Sequence, residues 1–346
     1  MKNLIFLAAL VFSMFVIKTA KAQEPIATLE HDGTSKVFYG KSSFAEACSA
    51  SVNGDQIYLS SGYFDAPKSI DKGVKITGAG HFPVEGKQTQ IITGLNINNG
   101  ADSLRLEGLF INGEVTFDKD NSINYVKIIR CSFTNASLNS SSIASKNYCS
   151  IEECFISGSL SFGSSIYSEG GNNFLLRNSI VSGNVNKIAA NALIDGNIFL
   201  VNATYGITST FYYVNYTIIR NNIILGKSYL FYNGYDVKGS NTIVKNLFVS
   251  PSPENVDKET NTTGVVRANI FVNQTGEVIN YLHDYHLKNP ATYIGTDGKQ
   301  VGIYGGLAFK ENGVPSNPAV VSKIVSQSTD TNGNLKVNIS VKAQDN

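Results

Sequence analysis

A right-handed, single-stranded parallel β-helix is the fold this sequence predicts, and two observations carry the prediction. One short template of residues recurs along most of the 346-residue chain. The composition also suits many short strands joined by tight turns: 31 glycines, no tryptophan, and Asn, Ser and Thr throughout. Gly and Asn tolerate the left-handed backbone that tight turns need. The expected class is therefore all-β, with an N-terminal cap and a C-terminal β-hairpin tail.

The template reads apolar, apolar, charged, variable, small polar, apolar, apolar. It is seen in Ile128-Ile-Arg-Cys-Ser-Phe, Leu175-Leu-Arg-Asn-Ser-Ile-Val, Leu193-Ile-Asp-Gly-Asn-Ile-Phe and Ile218-Ile-Arg-Asn-Asn-Ile-Ile. The small polar position falls at Gly108, Ser132, Cys154, Ser179, Asn197, Asn222, Asn246 and Asn269, in steps of 18 to 25 residues. A fixed period of that size is the mark of a solenoid. Successive rungs then stack about 4.8 Å apart through strand-to-strand hydrogen bonds. Asn197, Asn222, Asn246 and Asn269 are expected to form a structural ladder, because each side-chain amide can both donate and accept along the stack.

Two positions earlier runs a charged column: Leu106, Arg130, Glu152, Arg177, Asp195, Arg220, Val244 and Arg267. The signs alternate through its middle. One reading is a solvated ladder of ion pairs that fixes register, each worth about 0–1 kcal/mol. The other is that its guanidiniums line a groove for an acidic polymer.

The ends read differently. Lys2, the apolar run from Leu4 to Ile17 and Ala20-Lys21-Ala22 form an export signal over residues 1–22, because the run is shorter than the ~20 residues a spanning helix needs. The expected location is exported: periplasmic, cell-surface or extracellular. Residues 23–310 are assigned to the β-helix, with Phe44 to Ala50 as a short amphipathic cap, since an open terminal rung leaves an unpaired edge. Residues 311–346 are a tail of two strands around Asn332-Gly333, a possible docking element for a protein partner. Cys48, Cys131, Cys149 and Cys154 allow disulfides after export. Cys131 and Cys154 occupy neighbouring repeat positions, which favours buried stacked thiols.

The run Gly54-Asp55-x-Ile57-x-Leu59…Gly62-x-Phe64, followed by Val74-x-Ile76-x-Gly78-x-Gly80, resembles the first rungs of the pectate-lyase-like superfamily of right-handed β-helices. The segment Asp284-Tyr-His-Leu-Lys288…Gly295-Thr-Asp-Gly298…Gly302-Ile-Tyr-Gly-Gly306 is similar to the closing rung of its exported members. The resemblance spans roughly residues 33 to 310. It implies the fold strongly and an activity weakly, because lyases, hydrolases, epimerases and adhesins share these signatures. It also implies that His283 and His286 are structural.

The hydrolase plan of that superfamily asks for Asn-Thr-Asp, Asp-Asp, Gly-His-Gly and Arg-x-Lys, and none of the four occurs. A lyase needs a cation to neutralise a uronate and a base to remove the adjacent proton. Of the acids in the central stack, Glu152, Glu153 and Asp195, two alternate with arginines rather than gathering, which makes a poor Ca²⁺ cage, so no cofactor or metal is assigned. Aromatic faces suit sugar rings, and tyrosines crowd the excursions around the Asn222 rung. Tyr212, Tyr213, Tyr232 and Tyr235, with Arg177 and Arg220, are the candidate glycan-binding residues.

The formal net charge is +1 without a basic run, which argues against a nucleic-acid partner. Three readings follow. The leading one is an exported protein that binds polysaccharide without cleaving it. The others are a lyase acting on an acidic glycan, with no catalytic residue assigned, and a structural or adhesive surface component.

Overall fold

The computed structural model describes residues 24–83, 87–141, 144–163, 170–188, 190–201, 209–226, 229–231, 240–253, 256–306, 309–315, 319–325, 328–329 and 331–342. Residues 1–22, expected to be an export signal, lie outside them. No helix among the described residues is long and apolar enough to cross a membrane.

Short parallel strands stack into three sheets that together form a β-solenoid. Its seven complete turns are counted by the seven strands of the third sheet. One turn shows the plan: Leu175–Arg177 belongs to the first sheet, Ile180–Val181 to the second and Val185–Asn186 to the third. Each strand pairs in register with its counterpart one turn on, as Leu176 does with Ile194 and Ile194 with Ile219. Alternation of side chains across a strand sends Leu106, Ile128, Ile151, Leu176, Ile194 and Ile219 inward, where they are buried.

The N-terminal end is closed by an antiparallel pair, Ile26–His31 with Thr34–Tyr39, and by the helix Ser43–Ala50, whose Phe44 and Ala47 are fully buried. His31 Nδ1 lies 2.7 Å from Asp55 Oδ1 in this cap.

The second sheet is apolar on both sides. Ile156, Val181, Phe199, Ile224 and Phe248 face the interior, while Phe155, Ile180, Ile198, Ile223 and Leu247 belong to a separate outer cluster. That cluster is covered by Ile270, Phe271, Tyr285, Leu287, Val301, Ile303 and Phe309. A strand buried on both faces reads as consecutive apolar residues rather than an alternation. This accounts for the paired apolar positions that end the later templates, from Phe155-Ile156 to Leu247-Phe248. Each fully buried Ile or Leu there contributes about 1.5–3 kcal/mol.

The segment expected to form a closing rung therefore does something else. Stacked strands end at Thr242–Val244 and Leu247–Phe248. Beyond residue 265 the chain folds back as a strap over the second sheet, with Phe271–Asn273 and Asp284–Leu287 pairing antiparallel. The strap reaches the early rungs: Asn312 O accepts the His81 N–H, and Tyr281 Oη lies 2.9 Å from His81 Nδ1. Gly313, at φ +60°, lies so close to the His81 ring that a Cβ there would sit 2.0 Å from it. The His81 side chain is fully buried, and burial drives its pKa down to about 3.

Ala319–Val325 and Val337–Lys342 pair antiparallel in the tail. All four cysteines are buried free thiols. Burial pushes the thiols of Cys48 and Cys131 up to about 12.

Candidate functional site

The corner between the first and second sheets carries the ladder. Its leading position is left-handed on seven rungs: Gly108, Arg130, Glu153, Asn178, Gly196, Asn221 and Lys245 all have φ between +47° and +68°. From Glu153 on, the next residue turns inward and its side chain accepts a backbone N–H of the preceding rung. Cys131 N–H is directed at Cys154 Sγ, Cys154 N–H at Ser179 Oγ, and Ser179 N–H at Asn197 Oδ1. Asn197 N–H then donates to Asn222 Oδ1 at 2.8 Å, and Asn222 N–H to Asn246 Oδ1 at 2.9 Å. Cys131 and Cys154 thus stand one above the other in this column.

Three positions differ from the sequence reading. Asn269 is not the fourth asparagine of the ladder: it is exposed and lies in the single turn of 3₁₀ helix Arg267–Asn269. Asn261 takes its place, accepting the N–H of Asn246 at 2.9 Å, because the last rung is cut to 15 residues. On the early rungs the column holds Cys131 rather than Ser132, and Leu109 rather than Gly108, since Ser132 N–H bonds to Leu109 O and Phe155 N–H to Cys131 O.

The charged column shifts likewise. Its stacked members are Glu107, Ile129, Glu152, Arg177, Asp195, Arg220 and Val244. Arg177 pairs with Glu152, and Arg220 pairs with Asp195 at 3.0 Å, both arginines being about one-third exposed. Arg130 steps into the corner, where it meets the buried carboxylates of Glu107 at 3.3 Å and Glu153 at 3.0 Å.

Where the strap crosses this corner a cavity of about 230 Å³ opens. Arg177, Asp195, Asn221, Asp297, Lys299 and Gln300 line it, together with several glycines. Asn178 Nδ2 donates to Ile303 O and Gly305 O at 3.0 Å. Asn221 Nδ2 donates to Asp195 Oδ1 at 2.7 Å and to Thr296 Oγ1 at 3.1 Å. The lining is mixed in charge and largely bonded to itself. Among the described residues no group of three or more His, Cys, Asp or Glu is placed to hold a metal ion.

Tyr212 and Tyr213 lie elsewhere. Tyr212 ends the third-sheet strand Ser209–Tyr212, and Tyr213 follows it at φ +55°, the two rings meeting edge to face at 4.6 Å. Neither lines the cavity that holds Arg177. Tyr232 and Tyr235 lie outside the described residues. Arg177 and Arg220 end first-sheet strands, whereas Tyr212 and Tyr213 precede the start of one, so these members of the expected surface do not share the corner.

Tyr212 instead tops a column that sequence reading missed. Asn96, Thr116, Ser137, Ser161, Asn186 and Tyr212 are stacked in register on the outside of the third sheet. Their inward partners Leu95, Val115, Ala136, Leu160, Val185 and Phe211 are buried. Five uncharged hydroxyl or amide groups thus run along the solenoid beneath one aromatic ring. Several are bonded sideways, Ser161 Oγ to Asn139 Oδ1 at 3.0 Å and Asn186 Nδ2 to Asn184 Oδ1 at 3.1 Å, while Ser137 Oγ donates to Glu114. The signal was present as an apolar-polar alternation on most third-sheet strands, such as Leu95-Asn96-Ile97 and Val115-Thr116-Phe117, but it sits outside the template that draws the eye.

Compared with known proteins, the chain matches no family model, no curated protein and no solved structure. The fold and the side chains it places are what define the protein: a parallel β-solenoid with a laddered corner, an apolar strap and a polar outer face.

Proposed function

We propose that this chain is an exported β-helix protein that binds extracellular or cell-surface polysaccharide without cleaving it, along the outer face of the third sheet. The observation that supports this most is the uncharged column from Asn96 to Tyr212. Groups repeated about every 4.8 Å match the length of one hexose in an extended chain, so each rung can offer a hydroxyl or amide to one sugar. The six members carry no charge of their own, so the column offers hydrogen bonds and an aromatic face to an uncharged sugar chain. The export signal over residues 1–22 and the likeness to pectate-lyase-like helices fit the same role.

The test is retention of the full chain in gels containing neutral polysaccharides. Asn186→Ala with Tyr212→Ala reduces retention about tenfold if the column is the site, and wild type that is retarded by no polysaccharide ends the proposal.

A second reading, a lyase on an acidic glycan, is favoured by one observation. The corner cavity gathers Arg177 and Lys299, which could face a uronate, with Asp195 and Asp297 beside them. Incubation with uronate polymers then releases an unsaturated product that absorbs in the ultraviolet, and Arg177→Ala abolishes it.

A further inference from the structure

We propose that the early rungs of the first sheet form a second binding surface, on a different face from the third-sheet column, and that it takes a linear polysaccharide carrying uronate or sulfate groups. Lys75, Arg105 and Lys127 are directly stacked on the outer face, each opening its strand and each followed by a buried inward residue, Ile76, Leu106 and Ile128. Like charges opposite one another destabilise a sheet. Elsewhere on this sheet the stacking avoids that: Glu152, Arg177, Asp195 and Arg220 alternate in sign. The Lys75–Arg105–Lys127 column repeats one sign instead.

The neighbouring acids do not cancel it. Glu107 is shared between Arg105, at 2.8 Å, and Arg130, at 3.3 Å, while Asp102, turned to the N–H of Asn124 at 2.8 Å, pairs with no lysine or arginine among the described residues. Among the described residues neither Lys75 nor Lys127 makes an ion pair. Two cations, about 9.6 Å apart at two rung spacings, are thus left facing outward along the axis.

Aromatic groups border them. Tyr125, two residues ahead of Lys127, stacks face to face on Tyr148 of the next rung at 5.1 Å and 7°. Both are about half exposed, at 53% and 52%, and both hold left-handed corners at φ +60° and +56°. β-branched and other bulky residues take that backbone at a cost, and here it fixes two phenols side by side at the rim of the cationic column. The phenolic O–H groups can donate to carboxylate or sulfate oxygens while the ammonium groups neutralise them. Displacing counterions along such a column makes the binding salt-dependent.

The full chain is titrated in parallel with polygalacturonate, dextran sulfate, a neutral polysaccharide and a single-stranded oligonucleotide. Both polyanionic polysaccharides are expected to bind, with an affinity that falls about tenfold on raising salt from about 50 to about 200 mM. Lys75→Gln with Lys127→Gln lowers that affinity about tenfold and flattens its salt dependence, and Lys75→Arg with Lys127→Arg preserves both. Tyr125→Ala with Tyr148→Ala lowers it several-fold and leaves the salt slope in place. Circular dichroism and melting curves like those of wild type show that the variants are folded. Unchanged polyanion binding in the Lys→Gln variant overturns the proposal, as does tighter binding of the oligonucleotide than of either polysaccharide. Neutral-polysaccharide binding at the third sheet is untouched by these substitutions, so failure of one surface is read apart from failure of the other.

Discussion

Asn222 Oδ1 accepts two hydrogen bonds from Asn197, from its backbone N–H at 2.8 Å and from its side-chain Nδ2 at 3.0 Å. Asn222 returns its own Nδ2 to Ile194 O and to Asn246 Oδ1, both at 2.9 Å. Every polar atom of this fully buried amide is engaged, and its loss strands donors on the neighbouring rung. Replacing it, Asn222→Ala, is expected to cost about 2–4 kcal/mol. Asn222→Ser is expected to cost about half as much, because Ser179 holds the equivalent position with Oγ accepting the Cys154 N–H at 3.0 Å. Urea unfolding of both variants gives the order, and equal losses contradict it.

The end of the ladder makes a paired prediction. Asn261 Oδ1 accepts from both the backbone N–H and the Nδ2 of Asn246, whereas Asn269 is exposed. Asn261→Ala should cost about 2 kcal/mol and Asn269→Ala within about 0.5 kcal/mol. Melting temperatures of the two single variants decide it.

Arginines that look alike in sequence differ in weight. Arg130 is enclosed, its side chain 13% exposed between carboxylates that are 4% and 8% exposed. Arg130→Met removes the ion pair of the buried Glu153 and leaves Glu107 with Arg105 alone, and should cost about 3 kcal/mol. Arg177, part-exposed on Glu152, should cost about 1 kcal/mol or less on Arg177→Met. Chemical denaturation of both variants measures the difference.

Acid should loosen the strap through His81. Its folded pKa is about 3 because burial disfavours the cation, against about 6.5 in an unfolded chain. The unfolded state therefore takes up the proton first. Stability is full above about pH 6.5, declines as pH falls toward about 3, and levels off below. That limb amounts to roughly 4–5 kcal/mol, and His81→Phe should flatten it. The residual acid sensitivity at lower pH comes from carboxylates such as Asp118 and Asp284, whose pKa values are lowered chiefly by the backbone N–H groups of Asp120 and His286. His31 works in the opposite sense: its hydrogen bond to Asp55 raises its pKa. Its share is thus present below about 6.5 and lost as pH rises through the raised value. Melting temperature against pH, for wild type and His81→Phe, separates these contributions.

The solenoid was legible because inward apolar residues must recur once per rung, and that recurrence survives variable loops. Register was less so. The left-handed corner is held by Arg130 and Glu153 as readily as by Gly108 and Gly196, so sequence alone does not mark it, and the column slipped by one at Ser132. Asn269 was drawn in by an apolar-apolar-charged run, Val265-Val266-Arg267, that belongs to the strap. The strap reads as a closing rung in sequence, although the double apolar ends of the template are more than a sheet with one solvated face needs. Tyr212, Tyr213 and Arg220 are close along the chain, but the tyrosines come before the first-sheet strand Ile218–Arg220 and the arginine ends it. The stacked Tyr125–Tyr148 pair was hidden because each residue looks like an isolated surface aromatic until the rungs are superimposed.

The most direct test of polysaccharide binding without cleavage is to count reducing ends and measure polymer length in the same neutral polysaccharide sample that retards the protein. The account predicts retardation with chain length unchanged after prolonged incubation. Shortened polymer, or free migration of the protein through every polysaccharide tried, contradicts it.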